Sequence, residues 1–367
     1  MNNRFIYSIL IILLSVLTLS SCIKNSNRNL QNTSTSAINS STSLPQSSLP
    51  QSSSSLSETS DTITTNIALC MMSSKYTSYQ LVQLGFLEKA AEMREYNAEL
   101  CVSGELPVQD MLEYFDHYIK ENEIEGFIYW GSGATDFDFI KDQYNNGVQT
   151  VIPYFDLKMA ISESEYMYVG GNPISNEYGR HIQAADILVE QLKTRGINSG
   201  SIVYYAPYTD YGFADRIQAI SNYKVIPIYL EFNREKDIEK IKNMTINNED
   251  IIAVCDAVYT SYWNDLYGQY KNHAELVYIS MYNFPEVLTA LKNGQISAII
   301  TEPYYEAGEF GMEMLDRVLK GETFEGDAWQ PALPTYIVTA DGIGKNGPDF
   351  YLDQYARAEA LFGPANQ

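Results

Sequence analysis

From residue 63 onward, short apolar runs rich in β-branched and aromatic residues alternate with stretches whose apolar positions repeat at helical spacing. A first set of runs falls at 66–71, 99–102, 126–130, 150–155 and 167–169, and a second at 201–205, 225–230, 251–254, 276–279 and 298–301. Between the first two runs, Val82, Phe86, Ala90 and Met93 share one helical face; between the two sets, Ile182, Ala185, Leu188 and Leu192 do the same. These stripes predict helices packed on sheets, so they belong to the core and not to a cofactor site. Regular alternation of strand and helix predicts βαβ units, hence parallel sheets covered on both faces. Two sets of about five strands predict two α/β lobes. In open parallel sheets, ligands bind beyond the carboxyl ends of the strands, so two facing lobes would enclose a cleft there.

The chain before residue 63 shows neither pattern. Residues 1–22 read as an export signal, with Arg4 as the positive start, an apolar run at 9–19, and small Ser20 and Ser21 before Cys22. At about 11 residues the apolar run is short of the roughly 20 that a spanning helix needs. Leu19-Ser20-Ser21-Cys22 resembles the bacterial lipobox, which implies a thioether-linked diacylglycerol on Cys22 and a lipid-anchored protein on the extracytoplasmic face of the cell membrane. Residues 23–62 are dominated by Ser, Thr, Asn and Gln, with Pro45 and Pro50, and predict a flexible tether because they cannot bury enough apolar surface to fold.

Charge narrows the function. The 367 residues hold 24 basic and 46 acidic side chains, a net charge of -22, and a chain this acidic repels phosphate backbones. Nucleic-acid binding is excluded on that ground. The leader and tether are nearly neutral, so the acidity belongs to the folded part. Tyr occurs 29 times, and a side chain that offers an apolar face with a hydroxyl suits ligand recognition. Besides Cys22 there are Cys70, Cys101 and Cys255, without metal-ligand spacing; they read as buried free thiols, with a Cys70–Cys101 bridge between neighbouring strands as the alternative. His117, His181 and His273 are scattered and read as structural or exposed. The Gly131-Ser132-Gly133 loop follows the third strand, not the first, and lacks the third Gly of a dinucleotide loop; phosphate-loop, zinc-protease and nucleophile-elbow motifs are absent. No cofactor, metal or catalytic residue is expected.

Several segments in a fixed order carry a resemblance to a known family. They are Ile67-Ala68-Leu69-Cys70-Met71-Met72-Ser73-Ser74 at the first strand and turn, Val151-Ile152-Pro153-Tyr154-Phe155-Asp156 at a strand end, and Val169-Gly170-Gly171-Asn172 leading to Glu177-Tyr178-Gly179-Arg180. Farther on come Phe284-Pro285-Glu286-Val287, Leu291-Lys292-Asn293-Gly294-Gln295-Ile296-Ser297-Ala298, and Pro303 to Gly308 opening a helix that ends near Lys320-Gly321-Glu322. Over about residues 63–340 this order resembles the type 1 periplasmic (solute) binding proteins, in the ribose and galactose branch. Repressors of the same superfamily carry an N-terminal helix-turn-helix where this chain has its lipobox and tether. The resemblance implies two Rossmann-like lobes joined by a three-crossing hinge, with residues 63–171 plus 303–325 in the N-terminal lobe and 172–302 plus 326–345 in the C-terminal lobe. Residues 346–367 form an extension, expected as a helix packed on the surface.

The resemblance also implies a ligand site. Its strand-end Asp corresponds to Asp156, the polar residue after the third C-lobe strand to Asp256, and the hinge position to Glu302. Ser74, Tyr76 and Tyr79 stand in the loop after the first strand, Trp130 ends the third, Tyr208 follows the first C-lobe strand and Tyr259 follows Asp256. Lys158, Arg216 and Tyr282 stand at or beside positions where the family places Arg, Arg and Asp. Three acidic groups in one cleft would repel each other unless Lys158, Arg216, Arg234 or a cationic ligand compensates them. The expected ligand is a neutral mono- or oligosaccharide, and the crowded carboxylates raise an amino sugar or nucleoside-like compound as the alternative. The expected function is capture of a small ligand by a monomeric lipoprotein that hands it to the permease of an ABC importer. The alternative is a sensor presenting its ligand state to a membrane receptor kinase; a glycoside hydrolase using Asp256 and Glu302 is a minor one.

Overall fold

The first apolar run forms β1 (Thr65–Met71), in which Ile67 to Met71 are fully buried. It lies between two parallel neighbours, β2 (Tyr96–Val102) and β3 (Gly126–Trp130), and β4 (Gln149–Val151) completes a sheet of order β2-β1-β3-β4. The second set of runs forms β5 (Ser201–Ala206), β6 (Lys224–Tyr229), β7 (Ile251–Asp256), β8 (Val277–Ser280) and β9 (Ala298–Ile300), all parallel. A short β10 (Ile337–Val338) adds to β9 in the antiparallel sense, giving the order β10-β9-β8-β7-β5-β6. The chain is therefore an α/β protein of two lobes, each built on a parallel sheet. The computed structural model describes residues 64–131, 136–206, 209, 211–231, 233–258, 266–270 and 276–365.

One expected strand is absent. Residues 163–168 form a single 3-10 stretch instead, because Ser162 and Glu165 make a reciprocal capping box at its start. Isolated parallel bridges between Val151 and Gly171 and between Tyr154 and Ile174 extend that edge of the sheet.

The helices follow the predicted stripes. In α1 (Thr77–Met93), Val82, Phe86 and Ala90 are buried, while Met93 is half-buried. The same lobe carries α2 (Val108–Glu121) and α3 (Phe137–Asn145). In α4 (Glu177–Thr194), Ala185, Leu188 and Leu192 are buried and Ile182 is half-buried. Beyond it come α5 (Phe213–Ile220), α6 (Arg234–Ile241) and α7 (Pro285–Lys292). Then α8 (Tyr304–Leu319) returns to pack on α1, β3 and β4 of the first lobe. The chain ends in α9 (Pro348–Phe362), started by a proline at its first turn. Among the described residues, no helix is long and apolar enough to cross a membrane.

Segments around 172, 302 and 330 link the lobes, and they are bonded to their neighbours. The Asn172 amide donates to the Trp329 carbonyl (2.7 Å), the Ile174 amide to Pro331 (2.9 Å), and the Thr301 amide to Tyr336 (2.9 Å). Three apolar clusters build the core. One is centred on β1–β3 with α2 and α3, and one on β5, β7 and β8 with α4 and α5. The third is continuous across both lobes through α1, α7, α8 and α9.

The packing of α8 on α1 depends on two glycines. A Cβ on Gly85 would collide with the Tyr305 carbonyl, and one on Gly308 would meet the Val82 carbonyl and, at 2.7 Å, the Phe86 amide. Backbone cannot move aside as a flexible side chain can. Gly85→Ala or Gly308→Ala should therefore destabilise the fold by about 1–3 kcal/mol, measured by denaturant or thermal unfolding. Native stability in both variants would show that the helices are free to separate.

Candidate functional site

The site lies where the carboxyl ends of the N-terminal sheet meet the first turn of α4 and the crossing after β9. Trp130, the last residue of β3, is buried. Its ring lies 5.3 Å from that of Tyr154, 5.5 Å from Phe155 and 6.2 Å from Tyr79, and Tyr79 meets Tyr76 edge-on at 5.5 Å. Tyr154 in turn stacks on Tyr304 at 5.2 Å with 21° between the planes. These rings form an aromatic wall that is largely buried, Trp130 at 2% exposure and Tyr304 at 5%. Tyr154 has φ 81°, the left-handed region that bulky residues avoid, so its phenol is held in place at some cost in backbone strain.

Against this wall stands a buried charged cluster. Arg180 and Glu302 are 1% and 3% exposed and form an ion pair through Nη1. The Tyr154 hydroxyl donates to the other oxygen of Glu302, while Arg180 Nη2 donates to Glu177. Arg180 Nη1 also lies 3.5 Å from the Met281 carbonyl, and Nε has no hydrogen-bond partner. His181 joins through Nε2, 3.2 Å from Glu177, with its Nδ1 on the Tyr204 hydroxyl and its ring stacked on Tyr211 at 4.6 Å. Burial alone would lower the Arg180 pKa, but Glu177, Tyr154 and Tyr282 outweigh it, so the guanidinium is held charged. Burial alone would raise the Glu177 carboxyl, but Arg180 and His181 hold it down at about 2. For Tyr154, burial keeps the phenol protonated and so a donor.

The residues expected from the sequence divide accordingly. Tyr76, Tyr79 and Trp130 share the aromatic wall, Glu302 is at the charged centre, and Tyr282 acts electrostatically on Arg180 and stacks on Phe284 at 5.9 Å. Ser74 is half-buried, and its carbonyl accepts from Gln80 at 3.1 Å. The crowding of three carboxylates is not observed. Asp156 is exposed and accepts from Gln330 at 2.9 Å, whereas Asp256 is buried and accepts from Tyr278 (2.9 Å) and the Val258 amide (3.2 Å). Nor do the expected cations reach Glu302: Lys158 faces Asp327 at 3.8 Å, and Arg216 pairs with Asp186 at 2.7 Å. Tyr208, Tyr259, His273 and Cys22 lie outside the described residues. Cys70, Cys101 and Cys255 are buried free thiols, the first two side by side in the β1–β2 register.

Sequence reasoning missed Arg180, Glu177, His181, Tyr154 and Tyr304 as site residues. A signal was present, since Glu177 and Arg180 open the helix after the first crossing and Tyr154 stands just past β4. Among the described residues, no cluster of His, Cys, Asp and Glu could hold a metal ion. A surface depression of about 470 Å³ lined by Ile124, Gly147, Val318 and Gly321 opens at the amino ends of β3 and β4, the edge opposite to these groups.

No family model and no curated sequence matches the chain. Solved structures do match it. An ABC transporter solute-binding protein from Agrobacterium vitis with bound D-fucose superposes with TM-score 0.57 at 17% identity, over 78% of this chain and 99% of that one. A sugar-binding protein of a sugar ABC transporter from Bacillus halodurans gives TM-score 0.60 at 15% identity, over 76% and 98%. A XylFII–LytSN complex gives TM-score 0.55 at 16% identity, over 77% and 100%. The chain has the type 1 solute-binding protein fold. Glu302 stands on one of the crossings between the lobes, so the charged cluster sits where the chain passes from one lobe to the other.

The depressed Glu177 carboxyl predicts an acid-sensitive site. Its ordinary value is 4.5, so its stabilising contribution is complete above that pH and is lost as pH falls towards about 2. The side chain is 38% exposed, which keeps the effect modest. Melting temperature measured from about pH 5 to pH 2 should fall less steeply in Glu177→Gln than in the native protein; identical slopes would contradict the cluster.

Proposed function

We propose that the protein is a lipid-anchored, extracytoplasmic capture protein that closes its two lobes on a sugar or sugar derivative and delivers it to the permease of an ABC importer. The observation that carries this reading is the pairing, at the carboxyl edge of the sheets, of an aromatic wall with the Arg180–Glu302 pair and the Tyr154 hydroxyl. An aromatic face packs on C–H groups, while a guanidinium and a carboxylate together can donate to and accept from neighbouring hydroxyls. Structures of the same fold hold fucose and tagatose. The anchor rests on Leu19 to Cys22. Binding without catalysis fits a site whose charged groups are already paired with each other.

The charge balance favours a neutral ligand over an amine. Glu302 is compensated internally by Arg180, so an ammonium group would find a neutralised partner and would lose its own hydration. A second reading is a sensor that presents its ligand state to a membrane receptor, and the XylFII–LytSN complex, a sensor assembly of this fold, supports it. Reconstitution separates the two. A sugar-loaded protein should stimulate ATP hydrolysis by an ABC permease if it serves import, or bind a receptor ectodomain if it serves sensing.

The direct test is a thermal-shift screen of the purified protein against pentoses, hexoses, oligosaccharides, amino sugars and nucleosides. Ligand at about 100 times its Kd should stabilise the protein by roughly 2.7 kcal/mol. A neutral sugar should raise the melting temperature at least as much as its amino analogue. Stabilisation by amines or nucleosides alone would overturn the neutral-sugar assignment, and indifference to every compound would overturn small-ligand capture.

A further inference from the structure

The C-terminal helix α9 touches both lobes. It packs on α1 of the N-terminal lobe and on α7 of the C-terminal lobe. On the first side, Arg357 pairs with Glu88, whose other oxygen accepts from the Tyr305 hydroxyl at 2.7 Å, and the Gly363 carbonyl accepts from Gln80 at 3.1 Å. On the second side, Asp349 pairs with Lys292 at 2.5 Å, and the Tyr355 hydroxyl donates to Asn283 at 3.3 Å. Tyr351, Tyr355 and Ala358 are buried in the apolar cluster that also holds Leu81 and Leu84 of α1 and Val287 and Leu291 of α7. A rotation that carries α7 away from α1 would strain or break the contacts of α9 with one of them.

The ground beneath the helix is electrostatically unusual. Glu306, in the first turn of α8 just past the Glu302 crossing, is 1% exposed, and neither of its carboxylate oxygens has a hydrogen-bond partner. The segment leading into α9 covers it with Lys345, whose ammonium is 4.0 Å from Glu306 and 3.4 Å from Glu309. From α9, Tyr351 donates to the Lys345 carbonyl at 2.8 Å, and the Tyr336 ring lies 5.4 Å from the Lys345 ammonium. The buried Gln354 amide nitrogen on α9 is likewise unpartnered.

We propose that α9 is a clasp across the hinge, which holds the lobes together in the absence of ligand and must let go of one lobe for the cleft to open, with Glu306 beneath it as a pH-sensitive catch. Burial raises the Glu306 carboxyl to about 7, against the opposing pull of Lys345, while Glu309 adds to the rise. Its ordinary value is 4.5, so the closed clasp takes up a proton in the window between the two values. The clasp is therefore tightest below 4.5, loosens as pH rises towards 7, and changes no further above that.

The test measures the distance between probes on the exposed side chains of His117→Cys in α2 and Glu190→Cys in α4, by single-molecule energy transfer on the full chain without ligand. With the native clasp the distribution should be narrow and short. Removing residues 348–367 should move most molecules to longer distances. Because that truncation exposes apolar surface, Arg357→Glu provides a milder variant: it should raise the open population several-fold, and Glu88→Arg in the same chain should restore it. Between about pH 5 and pH 8 the open fraction should rise roughly tenfold or more in the native chain and stay level in Glu306→Gln. Distances unchanged by Arg357→Glu, or by truncation in a protein that retains its fold, would overturn the clasp, and a persistent pH response in Glu306→Gln would overturn the catch. Neither readout involves a sugar, so failure of sugar binding would leave this inference standing.

Discussion

The ion pair between Arg180 and Glu302, with the Tyr154 hydroxyl on the same carboxylate, joins segments of both lobes at a crossing between them. Arg180 comes from the first helix of the C-terminal lobe, Glu302 from a crossing between lobes, and Tyr154, which donates to Glu302, from the N-terminal lobe. A buried charge costs several kcal/mol unless a partner answers it. Each lobe therefore supplies what the hinge carboxylate lacks, and the arrangement of the lobes is tied to a local electrostatic need.

That need also shapes the cleft. The chain is strongly acidic, and at the crossing Glu177 and Glu302 share the one guanidinium of Arg180, with His181 braced against Glu177 and Tyr204. Much of the acidity is accordingly spread over exposed positions such as Asp156, Glu190 and Asp353. What remains at the centre is an aromatic cluster beside paired donors and acceptors. Away from the charged cluster, the glycine-dependent packing of α8 on α1 and the bridging position of α9 tie further elements together.

The two lobes were legible in the sequence because parallel strands buried on both faces leave continuous apolar runs, and their covering helices leave regular stripes. Residues 167–169 misled because a three-residue apolar run carries little information, and the Ser162–Glu165 capping box decides that segment instead. In the site, Tyr76, Tyr79, Trp130 and Glu302 could be found by position after strand ends. Asp156 and Asp256 occupy equivalent positions but point into other surroundings, and sequence position does not encode side-chain direction in an irregular turn. Arg180 was harder to see, since a charged residue four positions into an amphipathic helix reads as solvent-facing until the Glu302 crossing and Tyr154 of the N-terminal lobe cover it.

The most direct measurement is a double-mutant cycle of unfolding free energies on Arg180→Met, Glu302→Gln and the pair together. Removing one member of a buried ion pair costs about 3–5 kcal/mol, whereas replacing both leaves no uncompensated buried charge, only the 38% exposed Glu177 without its guanidinium partner. The double variant should therefore lose far less than the sum of the single losses. Single effects that add to within about 0.5 kcal/mol would contradict the account, because independent residues behave that way and a hinge-locking pair cannot.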